Sequence, residues 1–586
     1  MVNKLKQINI WIILILFFGF GLRLYGMNWD SGFHFHPDER MLIMVAERIQ
    51  FWTQLNPDFF NYGSLPIYLL KGTSQLIDLI FKSNFANYDG MLIVGRILST
   101  SVDLIVILLI YKLAYFISHK KDIALWSSFI YATAFFAIQN SHFFIVDTFL
   151  NLFSTLLIYL LLLYHEKPSY KKIVFIGIIF AASITTKVSA VIFLPVVGLT
   201  LLFPTHNKFK NVTRYTLHVL RLLLLFTFSF LLFSFVFMPF AFIEKVSFIH
   251  DLTEQVRMNS DAYVFPYTLQ YIGTVPYLYY LKNIFLWGFG PIYSFLAFLG
   301  ILFNFRKFLT QSANHKNKKI ERVYTIIIFG IFYLLYFLVI GKSAVKFMRY
   351  MLLMYPLFAI MAGYGVSRVT LLFGSPRFGE AGGQAQSVKR YTLHVTRPQR
   401  LSVAMAGVAR YTIIFAALLW TLMFLNIYSY PNTRIQATNW INQYIPAGST
   451  LAVEHWDDRV PIFDPGKYQY EELPLYDIPD DYIKWKIVNE KLNRSDYIVI
   501  ASNRLYTPLQ RLNDCKETYP RCYPITSVYY EKLLSNKGDF VKIAEFTSYP
   551  KFSSFKFQVS IIDDSADESF TVYDHPKIMI FKRKDF

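Results

Sequence analysis

The chain has 586 residues, of which 54% are hydrophobic, 18% aromatic and only 17% charged. That balance excludes a soluble globular protein, because several apolar runs approach or exceed the roughly 20 residues that span a bilayer. The formal net charge of +19 does not point to nucleic acid, since the basic residues sit mostly in short loops between apolar runs, where the positive-inside rule puts them.

The first apolar run, 8–27, follows Lys4 and Lys6 and lacks a small-residue cleavage site, so it reads as a retained helix rather than a signal peptide. Directly after it comes Gly32-Phe33-His34-Phe35-His36-Pro37-Asp38-Glu39-Arg40. Charge this dense beside a bilayer is costly unless it faces water or a site. Residues 38–51 are amphipathic, and 65–81 are apolar but interrupted by Pro66, Lys71 and Asp78; both read as interfacial helices. Further spans are predicted at 91–117, 122–140, 148–164, 172–187, 189–204, 217–239, 280–304, 323–340, 348–370 and 409–429, eleven in all. With a cytoplasmic N-terminus the inner loops carry Lys120-Lys121, Lys167 with Lys171 and Lys172, Lys208 with Lys210 and Arg214, the run 306–322, and Arg377 through Arg400. Each obeys the charge rule. Asp38, Asp147, the loop 240–280 and everything after 430 then lie outside, on an integral plasma-membrane protein. The inner loop 373–408 is Gly-, Ser- and Arg-rich and reads as flexible. Arg-Tyr-Thr-Leu-His-Val occurs at 214–219 and 390–395, too short to argue a structural repeat.

Beyond Tyr430 the composition turns ordinary. Residues 434–444 read as an amphipathic helix, and 450–453, 497–501, 555–561 and 577–581 as strands. The expected fold class is a polytopic α-helical membrane body, 1–430, with an extracytoplasmic α/β domain, 431–586.

Two readings stand for Asp38-Glu39. Pro37 at a first helical position with acids in the first turn complements the helix dipole and needs no other purpose. The same carboxylate, ionised at a membrane surface beside His34, His36 and Arg40, suits a base that takes a proton from a hydroxyl. Asp147 is a lone acid at the start of an apolar helix on the same side, either a cap or a functional group. His142 stands near it at the interface. Arg96, Lys187, Lys342, Lys346 and Arg349 are cations on the side that the charge rule prefers neutral, so they either snorkel or hold an anion such as phosphate. Cys515 and Cys522 are a disulfide or two free thiols, not a metal site. Glu454-His455-Trp456-Asp457-Asp458 is the densest polar cluster of the tail and reads as a solvated turn.

On these residues the chain resembles the GT-C membrane glycosyltransferases, in the branch of the protein O-mannosyltransferases and the lipid A aminoarabinose transferases. The resemblance is carried by Asp38-Glu39 and Asp147 in the first two outer loops, Thr186-Lys187, Arg349-Tyr350 with Tyr355-Pro356, and the multi-helix body over about 8–430. The stretches 271–277 and Tyr573-Asp574-His575-Pro576 are similar to those of bacterial phospholipid-carrier-dependent glycosyltransferases. The tail is unlike the β-trefoil of eukaryotic O-mannosyltransferases.

The resemblance implies a polyprenyl-phosphate monosaccharide donor, used on the outer face with inversion. Asp38 is then the base, and Glu39 and Asp147 hold the base or the acceptor. His36, Arg40, Arg96, His142, Lys187, Lys342, Lys346, Arg349 and Tyr350 bind substrate or carrier phosphate. No cofactor is required; a divalent ion on Asp38 and Asp147 fits the scheme without being demanded. The acceptor is a protein, lipid or glycan, membrane lipid is a partner, and nucleic acid is not. Two rivals remain. A lipid-linked-sugar transporter does no chemistry, and an asparagine-glycosylating oligosaccharyltransferase should carry Trp-Trp-Asp, which the sequence lacks.

Overall fold

The computed structural model describes residues 9–202, 212–310, 316–374, 397–519, 521–554 and 557–585. Residues 375–396, which hold most of the inner loop 373–408 and the second Arg-Tyr-Thr-Leu-His-Val, lie outside them, as do Lys208 and Lys210.

Among the described residues six helices are long and apolar enough to cross a membrane: Tyr88–Ser118, Val146–Glu166, Thr213–Phe237, Tyr324–Gly341, Met348–Arg368 and Tyr411–Tyr444. Ile10–Leu24, Val188–Leu202 and Pro291–Phe303 are shorter apolar helices. Two predicted spans are broken. The stretch 122–140 becomes Lys121–Ala132 and Phe135–Ser141, because the Thr133 hydroxyl bonds back to the Phe129 carbonyl at 2.8 Å and pairs with Tyr293 at 2.7 Å. The stretch 280–304 is interrupted by a π-turn at Ile284–Gly288 before Pro291–Thr310 begins.

The body packs closely where small residues face each other. A Cβ on Gly365 would meet the Leu296 carbonyl oxygen at 2.0 Å, and one on Gly300 the Met361 carbonyl oxygen at 1.8 Å. Glycine there lets the helices Pro291–Thr310 and Tyr355–Gly374 touch backbone to backbone. The first helix is locked by a satisfied buried charge. Arg23 Nε donates to Asp103 at 2.7 Å, and Tyr131 donates to the same carboxylate at 2.6 Å.

Among the described residues the tail has seven strands: β1 (Thr450–Glu454), β2 (Gln469–Leu473), β3 (Tyr497–Ile500), β4 (Phe540–Phe546), β5 (Lys551–Ser554), β6 (Phe557–Ser560) and β7 (Ile578–Arg583). Five form a mixed sheet of order β2-β1-β3-β7-β4, with β1 parallel to β2 and β3, and β7 antiparallel to β3 and β4. The strand expected at 555–561 does not join it. That segment pairs with β5 in a separate hairpin. The buried β1 and β3 are covered on one face by Trp485, Val488, Tyr530 and Leu533 of two helices, and on the other by Ala437 and Ile441 of Thr433–Tyr444. Cys515 and Cys522 are disulfide-bonded.

Chain composition divides near 430, but the hydrophobic core does not. Phe570, Val572 and Tyr573 are buried in one cluster with Phe135, Phe136 and Phe424 of the body. The tail is therefore anchored by a segment inserted among the membrane helices.

Candidate active site

The helix Pro37–Arg48 starts as the sequence dictates. His36 caps it, its Nδ1 accepting the Asp38 N–H at 3.2 Å, and Pro37 and the two acids fill the first turn. Asp147 opens the helix Val146–Glu166 in the same way and is 1% exposed. Arg349 stands at the start of a tight helical turn, Met348–Met354, and joins the two acids. Its Nη2 lies 2.9 Å from Asp38 Oδ2 and its Nε 3.7 Å from Asp147 Oδ2. Lys187 Nζ closes the other side at 2.8 Å from Asp147 Oδ1, and 4.3 Å above the Tyr350 ring. Two carboxylates and two cations thus form one cluster from four separate segments.

Lys187 is positioned through Gly63. The Gly63 and Leu65 amides both donate to carbonyls of Thr185–Thr186 at 3.1 Å, and a Cβ on Gly63 would meet the Thr185 oxygen at 1.8 Å. The same loop sets Tyr62 where the charges of Asp38 and Arg349 act on it.

The cluster has unused capacity. Arg349 Nε and Nη1 are buried without a hydrogen-bond acceptor among the described residues. Burial of an N–H without a partner costs on the order of 1–3 kcal/mol, more when charged, so such donors point to a ligand that supplies oxygen.

Glu39 and Arg96 are placed differently. Arg96 donates to Asp30 at 2.6 and 2.9 Å, to Glu39 at 2.9 and 3.1 Å, and to the Met27 carbonyl at 2.7 Å. All three groups are buried. No Arg96 nitrogen is left to offer a phosphate. Glu39 Oε1 also accepts the Phe144 N–H at 2.8 Å, three residues before Asp147, so this buried triad fixes the two acid-bearing helix starts relative to each other. Burial pushes the Glu39 carboxyl above its usual range, with Arg96 opposing.

The other expected ligands scatter. His142 is buried with its ring nitrogens each 2.9 Å from the carbonyls of Ile138 and Tyr25, and stacks on Tyr428. Arg40 reaches away to Asp458 at 3.5 Å. Lys342 is exposed. Lys346 is buried, with the Ala344 carbonyl at 3.0 Å as its partner, and burial pulls its ammonium pKa down. Tyr350 donates to Asn259 Oδ1 at 3.2 Å. His36 is fully enclosed, and burial together with Arg349 and Arg96 holds it neutral, well below the usual histidine range.

Asp38 and Asp147 are each already paired with a cation, and no group of three or more acidic, histidine or cysteine side chains converges among the described residues.

Residues 87–233 match the family described as dolichyl-phosphate-mannose-protein mannosyltransferase. The fold is similar to the oligosaccharyltransferase of Archaeoglobus fulgidus in its apo form, with a TM-score of 0.50, 13% identity, and coverage of 86% of this chain and 71% of that one. The same enzyme tethered to an acceptor peptide gives 0.50, 13%, 98% and 88%. ArnT from Cupriavidus metallidurans bound to undecaprenyl phosphate gives 0.43, 13%, 86% and 95%. No curated protein sequence matches the chain. Residues 87–233 thus resemble the mannosyltransferase family, and the fold as a whole is similar to that of the archaeal oligosaccharyltransferase.

Sequence reading gave no site role to two groups that the fold brings to the site, Tyr62 and Tyr573. Tyr62 sits in a loop with no signal of its own. Tyr573 belongs to the Tyr-Asp-His-Pro stretch, and its ring lies 4.1 Å from that of His36. That stretch is held by a buried His575 whose Nε2 lies 2.8 Å from Asp563, with Asp574 on its Nδ1. Burial alone would lower the His575 pKa, but the two carboxylates outweigh it and hold it up at about 10 against the ordinary 6.5. A raised folded-state pKa stabilises fully below the unfolded value and is lost as pH rises through the folded one. The thermal midpoint of the purified protein should therefore fall between pH 6.5 and 10, and His575→Gln should flatten that slope. An unchanged slope contradicts the pairing.

Proposed function

We propose that the protein transfers a monosaccharide from a polyprenyl-phosphate carrier to an acceptor hydroxyl on the extracytoplasmic face, with inversion. The observation that carries this reading is the pair of unpaired, buried Arg349 donors beside two carboxylates at helix starts. A base and an anion site side by side are what displacement of a phosphate by a hydroxyl needs. The matched family's description names a lipid-phosphate sugar of this kind.

In the step, the acceptor oxygen bonds to the anomeric carbon, its proton passes to Asp38, and the bond from that carbon to the carrier phosphate breaks. Charge gathers on the leaving phosphate, where the free Arg349 donors receive it. Lys187 and Asp147 keep the guanidinium in place, and the Phe347 ring floors it at 4.4 Å. Glu39 and Arg96, given direct roles by the family resemblance, position Asp38 and Asp147 instead. No metal takes part in this scheme. We infer eleven passes, a cytoplasmic N-terminus and an extracytoplasmic tail from the charge rule, which puts the two acid-bearing helix starts on the outer surface. The acceptor stays a protein, lipid or glycan.

Purified protein in nanodiscs, offered a panel of polyprenyl-phosphate monosaccharides with cell-envelope extract as acceptor, should release free carrier phosphate from one of them. Donor that is bound but stays intact supports the transporter reading instead.

A further inference from the structure

The segment Glu568–Pro576 is the tail's deepest contact with the body, and its fastening is unusually complete. Asp574 Oδ2 accepts from Gln139 Nε2 at 2.9 Å and from the Tyr428 hydroxyl at 2.8 Å. Its carbonyl accepts from Trp29 Nε1 at 3.2 Å and Asn432 Nδ2 at 3.0 Å. Arg434 holds the Val572 carbonyl at 2.7 Å, and Thr433 the Pro576 carbonyl at 2.6 Å. Six partners, one on Val572 before Tyr573 and five on Asp574 and Pro576 after it, fix its position.

Tyr573 is 8% exposed and lies against His36. With His36, Asn140, Phe143, Arg349 and Ser569 it lines a cavity of about 10 Å³. That is about one water's worth of space, the size of a single hydroxyl beside the guanidinium. The cavity wall is rich in unused polarity. Arg349 has two unpaired donors. His36 Nδ1 already accepts the Asp38 amide, so the neutral ring carries its proton on Nε2, where no acceptor stands among the described residues. The Tyr573 hydroxyl likewise has no hydrogen-bond partner among the described residues, and the charges that bear on it include Arg349 and Asp38.

We propose that Tyr573, brought in from the tail, forms with His36 and Arg349 a subsite for a single sugar hydroxyl of the lipid-linked donor. A hydroxyl suits this wall because it accepts from the cationic and imidazole N–H groups while donating to the phenol oxygen. The proposal rests on the carrier-dependent reading above. It gives the tail a direct part in donor selection: a sugar whose hydroxyl at that position is absent or inverted leaves Tyr573 and His36 unpaired.

The test compares affinity of the full-length protein for undecaprenyl phosphate mannose, or for whichever monosaccharide ester the donor panel selects, with affinity for bare undecaprenyl phosphate. Tyr573→Phe removes one neutral hydrogen bond and should weaken the sugar-loaded lipid about three- to tenfold, leaving the bare lipid unchanged. Donor KM should rise while kcat stays within about twofold. A deoxy-sugar donor lacking the contacted hydroxyl should lose at least that factor on the wild type, and it should then bind wild type and Tyr573→Phe equally. Equal weakening of both lipids, or no change in either, overturns the subsite and leaves the carrier reading standing. Failure of the wild type to bind either lipid overturns both.

Discussion

Arg349→Met should lower single-turnover transfer by about a thousandfold, the scale on which a preorganised electrostatic group at a developing oxyanion is worth its place. The loss has two sources. The leaving phosphate loses the unpaired Nε and Nη1 donors, and Asp38 loses the cation 2.9 Å from its Oδ2. Arg349→Lys keeps a charge but not the fork, so it should recover only a small part of the rate. Carrier release assayed on detergent-purified variants of confirmed thermal stability checks both. A loss below about tenfold for Arg349→Met contradicts an anion-stabilising role of the size given to such groups.

Arg96→Leu should act on the fold rather than on the chemistry. It leaves Asp30 and Glu39 buried with no cation, and breaking a buried ion group by removing one partner costs about 3–5 kcal/mol. Adding Asp30→Asn and Glu39→Gln to Arg96→Leu should restore most of that stability, since the charges then vanish together. Thermal or denaturant midpoints of the single and triple variants are the readout. If Arg96 were a carrier-phosphate ligand, the single variant would fold as the wild type does and lose only carrier binding, which would contradict the buried triad.

What was legible in the sequence followed from local signals. Apolar runs located the long apolar helices, and an acidic pair and a lone acid at helix starts marked Asp38 and Asp147. Arg349 and Lys187 stood out as cations on the side where the charge rule disfavours them, and the structure brings both to the two acids. Arg96 gave the same local signal, yet its partners lie 57 and 66 residues away, so nothing in the sequence distinguished a structural arginine from a ligand-binding one. The break at Thr133 was hidden because a hydroxyl in an apolar run is tolerated either way. β2 and β4 escaped notice because they are half-exposed edge strands, QYEEL and FVKIAEF, without an apolar run. The segment 568–576 reads as a polar loop. It is buried because each polar group finds a partner in a distant part of the chain, such as Gln139 for Asp574, 435 residues away.

The cluster's central assignment is Asp38 as the base. The most direct measurement is carrier-phosphate release by Asp38→Asn, an isosteric change that keeps the His36 cap on its backbone amide and removes the carboxylate charge, which both accepts the proton and pairs with Arg349. Release should fall by about a hundred- to ten-thousandfold, with donor affinity and thermal midpoint close to the wild type. Release at the wild-type rate by a folded Asp38→Asn protein would contradict the assignment and pass the role to Asp147.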